Sequence, residues 1–160
     1  MKDIKNIKPN KKSGYIQGYY TPINPTKYKG QYPIIYRSSI EKKFMIQCDT
    51  DPRIIEWMSE TFSINYYNIL DKKWHAYWPD FLVKIKGSNG FPVTYVVEAK
   101  SDKQLVKPVR PKNNNTKALA KYVEAYKTYV TNVCKIETLK KFAQSHGMKV
   151  LLYTENSKTI

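Results

Sequence analysis

The stretch that decides the fold is residues 74–100, WHAYWPDFLVKIKGSNGFPVTYVVEAK. Both halves are rich in the β-branched and aromatic residues that favour strands. Between the halves, GSNG at 87–90 has the composition of a tight turn. The pattern predicts a β-hairpin whose strands are WHAYWPDFLVKIK and FPVTYVVEAK. Upstream, TFSINYY at 61–67 predicts a third strand, which would complete an antiparallel meander.

A helix is predicted just before this meander. Ser38 or Ser39 can cap it, and the apolar residues Ile40, Phe44 and Cys48 recur every four positions on one face. Its end is expected between residues 49 and 52. The next segment, PRIIEWMSE at 52–60, is compatible with a helical turn and with an entry into the sheet.

Two more helices and a strand are predicted after the meander. Thr116 can cap a helix through about Thr131, whose apolar stripe of leucine, valine and tyrosine residues predicts a buried face. A further helix is expected over roughly 136–146, closed by Gly147 as a C-cap, and then a short strand, MKVLLYT at 148–154. Residues 101–115, SDKQLVKPVRPKNNN, predict a basic loop.

The element order predicts one α/β domain in which helices flank a small mixed sheet. The chain has 160 residues and a mass of 18.8 kDa, enough for a single hydrophobic core. Residues 1–30 are rich in lysine, tyrosine, proline and glycine, so we expect a basic extended arm, with the domain proper over 31–160. The lysine-rich beginning of the arm suits contact with DNA or protein, with a solvated tail as the alternative. Its tyrosine-rich part is expected to pack on the domain or on a partner.

Charge and composition narrow the function classes. Lys and Arg total 28 against 13 Asp and Glu, a formal charge of +15, which favours nucleic acid as partner first and an acidic membrane surface second. No apolar run approaches the roughly 18 residues that span a bilayer, and no apolar stretch follows the charged N-terminus. We therefore expect no membrane partner, no signal peptide and action inside a cell.

Two carboxylates are expected to meet at one end of the hairpin. Period-2 geometry puts Glu98 and Lys100 on the same face of their strand, where they could form a plain ion pair. Asp80, a poor strand former, begins the apolar run of the preceding strand. Two strands and a turn separate it from Glu98, a spacing that can bring the two side chains together. Adjacent carboxylates repel unless a cation lies between them.

This arrangement predicts a metal site for phosphodiester chemistry. Carboxylate oxygens and a backbone carbonyl such as that of Ala99 are ligands that Mg²⁺ prefers. A metal held there could withdraw charge from a phosphate, while Lys100 could stabilise developing negative charge or orient the attacking water.

Pro79-Asp80 followed by Glu98-Ala99-Lys100 resembles the active-site motif of the PD-(D/E)xK nuclease superfamily. The resemblance implies a restriction-endonuclease-like αβββαβ core and Mg²⁺ as cofactor, with Mn²⁺ as a substitute. It also implies that Glu41, on the first helix, joins the metal ligands Asp80 and Glu98. The alternative for Glu41 is a capping box with Ser38.

A narrower resemblance extends over most of the chain. The segments YIQGYYTPINPTKYKG, IIYRSSIEKKFMIQCD and WHAYWPDFLVKIK, with the EAK strand, are similar to the head completion nucleases of T4-like tailed phages. The family implies a catalytic set of Glu41, Asp80, Glu98 and Lys100. It also implies processing of packaged double-stranded DNA before neck and tail joining, with capsid, portal or neck proteins as partners. The expected location is the host cytoplasm during phage assembly, with association with the virion left open.

Basic and polar residues near the motif are candidate DNA contacts. Arg37 could clamp a phosphate, or pair with a carboxylate of the sheet. Other candidates follow the motif, where a solvated loop is the alternative, or lie on the following helix: Lys103, Gln104, Lys107, Arg110, Lys117 and Lys121.

Two alternative functions remain open at this point. One is a structural head or neck protein that binds DNA or portal without cutting, since fold does not fix function. The other is a junction-resolving or transposon-type endonuclease with the same chemistry.

Overall fold

The structure is a computed structural model that describes residues 16–112 and 115–158. Within them lie three α-helices, one short 3-10 helix at Pro25–Lys27 and eight strands: β1 Gly18–Tyr20, β2 Ile34–Tyr36, α1 Ser39–Thr50, β3 Ile54–Ser59, β4 Ile64–Asn68, β5 Lys73–Tyr77, β6 Phe81–Lys86, β7 Pro92–Ala99, α2 Asp102–Leu105, α3 Thr116–Ser145 and β8 Lys149–Tyr153.

A four-stranded mixed sheet forms the centre of the domain. Its strand order is β3-β6-β7-β8, with β8 parallel to β7 and the other neighbours antiparallel. The predicted hairpin is therefore confirmed as β6 and β7. Together with α1 and α3 the sheet has the order αβββαβ, so the restriction-endonuclease-like α/β fold is confirmed.

The helices cover opposite faces of this sheet. On one face, Phe44 of α1 lies 4.8 Å from Phe81 and 4.7 Å from Tyr153, measured between ring centres. On the other face, Leu139 of α3 packs with Val96 in a second apolar cluster. Alternation along β7 explains this division, because Val97 belongs to the α1 cluster and its neighbour Val96 to the α3 cluster.

Two of the predicted strands are placed wrongly. The first core strand is β3, from the segment that was compatible with a turn or a strand, and it is anchored by the fully buried Trp57. Residues of TFSINYY instead form β4, which pairs with β5 in a separate two-stranded ribbon. WHAYWPDFLVKIK is therefore two strands in different sheets. They are separated at residues 78–80, where Pro79 has no N–H to offer a strand neighbour.

The two helices predicted after the meander are one helix, α3, of 30 residues. No glycine or proline interrupts residues 116–145, so helical hydrogen bonding continues through the expected break. Its buried residues are Asn132, Ile136, Leu139 and Ala143, all in the second half. The prediction that the stripe over 116–131 is core is wrong, because every residue of that half is half-buried or exposed. In the preceding loop, α2 adds one short helix.

The segment before α1 joins the first apolar cluster. β1 pairs with β2, and Tyr28 packs edge-on against Trp57 with 4.6 Å between ring centres. The predicted lysine-rich beginning of the arm lies outside the described residues. Among the described helices, none combines the length and apolarity needed to span a bilayer.

Candidate active site

The start of β6 and the end of β7 bring the motif residues to one edge of the sheet, which we call the catalytic edge. Phe81 pairs with Val97 across the hairpin, so the next positions in register are Asp80 and Glu98. The backbone N–H of Ala99 donates to Asp80 Oδ2 at 2.7 Å. The predicted proximity of the two carboxylates follows directly from the strand register.

Lys100 lies between these carboxylates. Its Nζ is 2.8 Å from Glu98 Oε1 and 3.8 Å from Asp80 Oδ2. The same ammonium donates to the carbonyl oxygen of Ala99 at 3.3 Å. The Glu98–Lys100 ion pair that the sequence left open is therefore present, and Asp80 lies beside it.

Glu41 reaches the same edge from the first turn of α1. Its Oε2 accepts the backbone N–H of Arg37 at 2.7 Å, and its Oε1 accepts the hydroxyl of Ser38 at 3.0 Å. The backbone N–H of Glu41 donates in return to Ser38 Oγ, which completes the capping pattern. Capping fixes the carboxylate next to the catalytic edge, where it interacts electrostatically with Asp80 and Lys100. The capping role and a place in the site are thus compatible.

Burial and like charge oppose ionisation of the carboxyls. Burial, and then the nearby charge of Asp80, raise the pKa of Glu98 to about 7. The same two causes raise the pKa of Glu41 to about 7. Burial opposes the charge of Lys100, but attraction to Asp80 and Glu98 outweighs it and raises the Lys100 pKa. The edge therefore carries more acidic groups than its one directly paired ammonium can neutralise.

The donor set fits the divalent metal that the motif resemblance implies. No three carboxylate, imidazole or thiol side chains of the described residues converge closely enough to enclose an ion by themselves. However, Glu98 is only 3% exposed, and its Oε2 is buried without a hydrogen-bond donor. Asp80 and the Ala99 carbonyl lie beside it. An unsatisfied buried oxygen among mutually repelling carboxylates suits a hard cation completed by water and phosphate oxygens.

An open cleft of about 450 Å³ leads to this edge. Its lining includes Arg37, Glu41, Lys100 and Gln104. Arg37 forms an ion pair with Glu60, the residue after β3, so the alternative of a partner carboxylate is the one observed. Gln104 Oε1 accepts the backbone N–H of Ser101 at the start of α2.

The remaining candidate DNA contacts lie away from the cleft lining. Lys103 is exposed on α2, and Lys107 lies over the ring of Tyr126 at 6.0 Å from its centre. Exposed positions in the loop and on the first half of α3 hold the others: Arg110, Lys117 and Lys121. Arg37 and Gln104 thus line the cleft, and the rest lie on α2, in the loop after it and on the first half of α3.

Sequence reasoning missed Lys135. Its ammonium lies 5.5 Å from the ring centre of Tyr66 and 5.4 Å from that of Tyr77. Burial, and then repulsion from Lys100, lower its pKa, while Glu98 and Asp80 attract its charge. The predicted break between two helices hid this residue. In one continuous helix Lys135 directly precedes the buried Ile136. A lysine at such a position indicates a charged group near the core, and this is the sequence feature that could have identified it.

Comparisons with known proteins agree with this geometry. A family model described as TnsA-like endonuclease N terminal matches residues 51–155. The head completion nuclease of Enterobacteria phage T4 is 31% identical over 140 residues, which cover 87% of this chain and 91% of that protein. No solved structure matches the chain. The resemblances drawn from the sequence are confirmed, and the chain belongs to the TnsA-like endonuclease N-terminal family, with a head completion nuclease among its homologues.

Proposed function

We propose that this protein is a Mg²⁺-dependent DNA nuclease of phage head completion, which processes the end of packaged DNA before the neck and tail join. The observation that carries the proposal is the convergence of Asp80, Glu98 and Lys100 at the catalytic edge. The 31% sequence identity with the phage T4 head completion nuclease supports a role in head completion.

Asp80 and Glu98 would hold the cation, with the carbonyl of Ala99 and the carboxylate of Glu41 as further oxygen donors. When bound, Mg²⁺ would withdraw negative charge from the scissile phosphate and lower the pKa of the attacking water. Mn²⁺ offers the same hard coordination and would substitute.

Two lysines of the chain act on the substrate in this proposal. Lys100, held against Glu98, orients the attacking water and stabilises the negative charge that develops on the phosphate. Lys135 places a second ammonium on the α3 side of the site, where it would bind a neighbouring phosphate. Its two tyrosine rings fix its direction without neutralising its charge.

The basic surface then holds the DNA backbone. Exposed residues on α2, the following loop and the start of α3 extend this surface from the cleft. Contacts of this type are independent of base sequence and weaken with salt. They suit an enzyme that recognises duplex ends or DNA structure.

The test is cleavage of linear, circular and branched DNA by the purified protein, in Mg²⁺ and in EDTA, beside two variants. Asp80→Asn should abolish cutting and retain salt-sensitive DNA binding. The control Glu137→Gln changes an exposed carboxylate on α3 that forms an ion pair with Lys140, and it should cut normally. Absence of metal-dependent cleavage in every substrate would favour a structural head protein. Strong preference for branched DNA would favour a junction-resolving enzyme. Normal cutting by Asp80→Asn would show that the site is wrong.

A further inference from the structure

The β4–β5 ribbon has one face that none of the described residues covers. On its inner face Tyr66 pairs with His75 and packs towards α3, whereas on its outer face Tyr67 pairs with Trp74. The Tyr67 and Trp74 rings meet edge-on with 5.5 Å between centres. Trp74 is nevertheless 70% exposed, and Ile69 in the turn is 60% exposed. Large apolar groups exposed together at one tip mark an interaction surface.

The turn that carries this surface is held in a defined shape. Asn68 Oδ1 accepts the backbone N–H of Leu70 at 3.0 Å, and Asp71 Oδ1 accepts that of Lys73 at 3.2 Å. Asp71 also contacts His75 Nε2 at 2.7 Å. These local hydrogen bonds present Ile69 and Leu70 at the end of the ribbon. The tip therefore loses little conformational entropy when it binds a partner.

The ribbon projects past the catalytic edge. Its base is next to the site, because β5 ends only three residues before Asp80. Phe62, just before β4, stacks on Phe142, whereas Tyr66 lies under Lys135. The ribbon thus runs towards the N-terminus of α3, beyond the sheet. Five or six residues at roughly 3.3 Å each put the tip about 17–20 Å from its base.

Charge and position together favour DNA bases as the occupant of this tip. The formal charge of +15 attracts a polyanion, and Lys72 and Lys73 are exposed in the turn itself. One carboxylate, that of Asp71, lies in the same turn, so the two lysines leave the turn with a net positive charge. DNA held at the catalytic edge would continue alongside the ribbon, where apolar and aromatic groups can stack on bases or enter a base step. A protein partner would require no such alignment with the site.

We propose that the tip residues Ile69, Leu70 and Trp74 form a wedge that engages unstacked bases about five base pairs from the scissile phosphate. This inference rests on the proposed function, since it assumes that DNA occupies the catalytic edge. The distance is the ribbon length divided by the roughly 3.4 Å rise per base, with the ribbon base taken as the position of the site and the DNA running along the ribbon. The wedge would direct the enzyme to duplex ends and distorted DNA, where unstacking is least costly.

The test measures DNA binding in EDTA, so that cleavage plays no part. Blunt duplexes carry a single 2-aminopurine at successive positions from one end. Wild-type protein should raise the fluorescence within a window of one or two positions, which reports unstacking. Trp74→Ala should abolish this rise and weaken binding about tenfold to a hundredfold. Trp74→Phe, which keeps a stacking ring, should restore most of both effects.

Phe91→Ala is the matched control. Phe91 is 72% exposed in a hairpin turn at the opposite end of the sheet, so its removal should change neither readout. If the double variant Leu70→Ala with Trp74→Ala binds and unstacks DNA as wild type does, the inference is wrong. The ribbon would then serve a protein partner. Failure of cleavage in Mg²⁺ would overturn the proposed function alone, because the fluorescence readout does not depend on cutting.

Discussion

Lys100 Nζ lies 2.8 Å from Glu98 Oε1, so the catalytic edge contains an internal ion pair. Asp80 is 3.8 Å from the same ammonium, and the other oxygen of Glu98 receives no hydrogen bond from the described residues. One lysine thus neutralises part of a larger acidic group. The pair holds Lys100 beside both carboxylates and leaves Glu98 Oε2 without a hydrogen bond from the described residues.

Removal of this ammonium should affect catalysis more than binding. Lys100→Met is expected to lower the single-turnover cleavage rate about 10²- to 10⁴-fold, because charge development on the phosphate loses its positioned cation. DNA affinity in EDTA should change little. Lys100→Arg keeps the charge and serves as the comparison. Equal loss of affinity and rate would show that Lys100 acts only by holding DNA.

The stability of the metal-free protein should fall as pH rises. Burial and then Asp80 raise the pKa of Glu98 and of Glu41 from 4.5 to about 7, so the folded state binds these protons more tightly than the unfolded chain. Their stabilising effect is complete below pH 4.5 and is lost as pH rises through about 7. Urea unfolding in EDTA should therefore give a higher midpoint at pH 5 than at pH 8. Glu98→Gln should reduce this difference, and an unchanged difference would contradict the assignment.

Divalent cations should stabilise the fold in the absence of DNA. A bound cation offsets the repulsion among the carboxylates, so Mg²⁺ or Mn²⁺ at millimolar concentration should raise the melting temperature at pH 8. Asp80→Asn should reduce this shift in melting temperature, because it replaces a negatively charged carboxylate of the site with a neutral amide. The exposed Glu137→Gln should preserve it. An identical shift in both variants would place the binding elsewhere.

Lys135 should contribute to DNA affinity by binding a backbone phosphate. Lys135→Gln is expected to weaken DNA binding at low salt and to reduce the slope of log affinity against log salt by about one. Lys140→Gln is the control, because Lys140 is exposed on the same helix and paired with Glu137. Fluorescence anisotropy over a salt series measures the affinity and its salt dependence for each variant. An unchanged slope for Lys135→Gln would assign Lys135 to packing against Tyr66 and Tyr77.

Asp49 should hold the segment before α1 on the domain. It is fully buried and accepts hydrogen bonds from the hydroxyl of Tyr20 and the backbone N–H groups of Ile23 and Asn24. Asp49→Ala leaves these donors without an acceptor and should cost at least about 3 kcal/mol of unfolding free energy. Asp51→Ala removes a neighbouring carboxylate paired with the exposed Arg53 and should cost less than about 1 kcal/mol. Comparable losses in chemical denaturation would contradict this role.

Local pattern alone determined several features of this protein. GSNG and the apolar runs around it predicted the β6–β7 hairpin, and alternation correctly placed Glu98 and Lys100 side by side. The hairpin register then required Asp80 and Glu98 to be neighbours. Backbone geometry places residues two apart on the same face of a strand, and the turn sets which residues of a hairpin face each other. The motif was therefore visible without a structure.

Only the tertiary structure decided which segments occupy the sheet. IIEWMS fits several local conformations, and it becomes β3 because Trp57 fills the space beneath Tyr28. The chain folds β4 and β5 away as a ribbon, and a single α3 brings Lys135 to the catalytic edge. These outcomes depend on contacts between residues distant in sequence. The free energy of such contacts is larger than the differences in local conformational preference. The acidic group and its lysine were determined by sequence, whereas their surroundings were determined by packing.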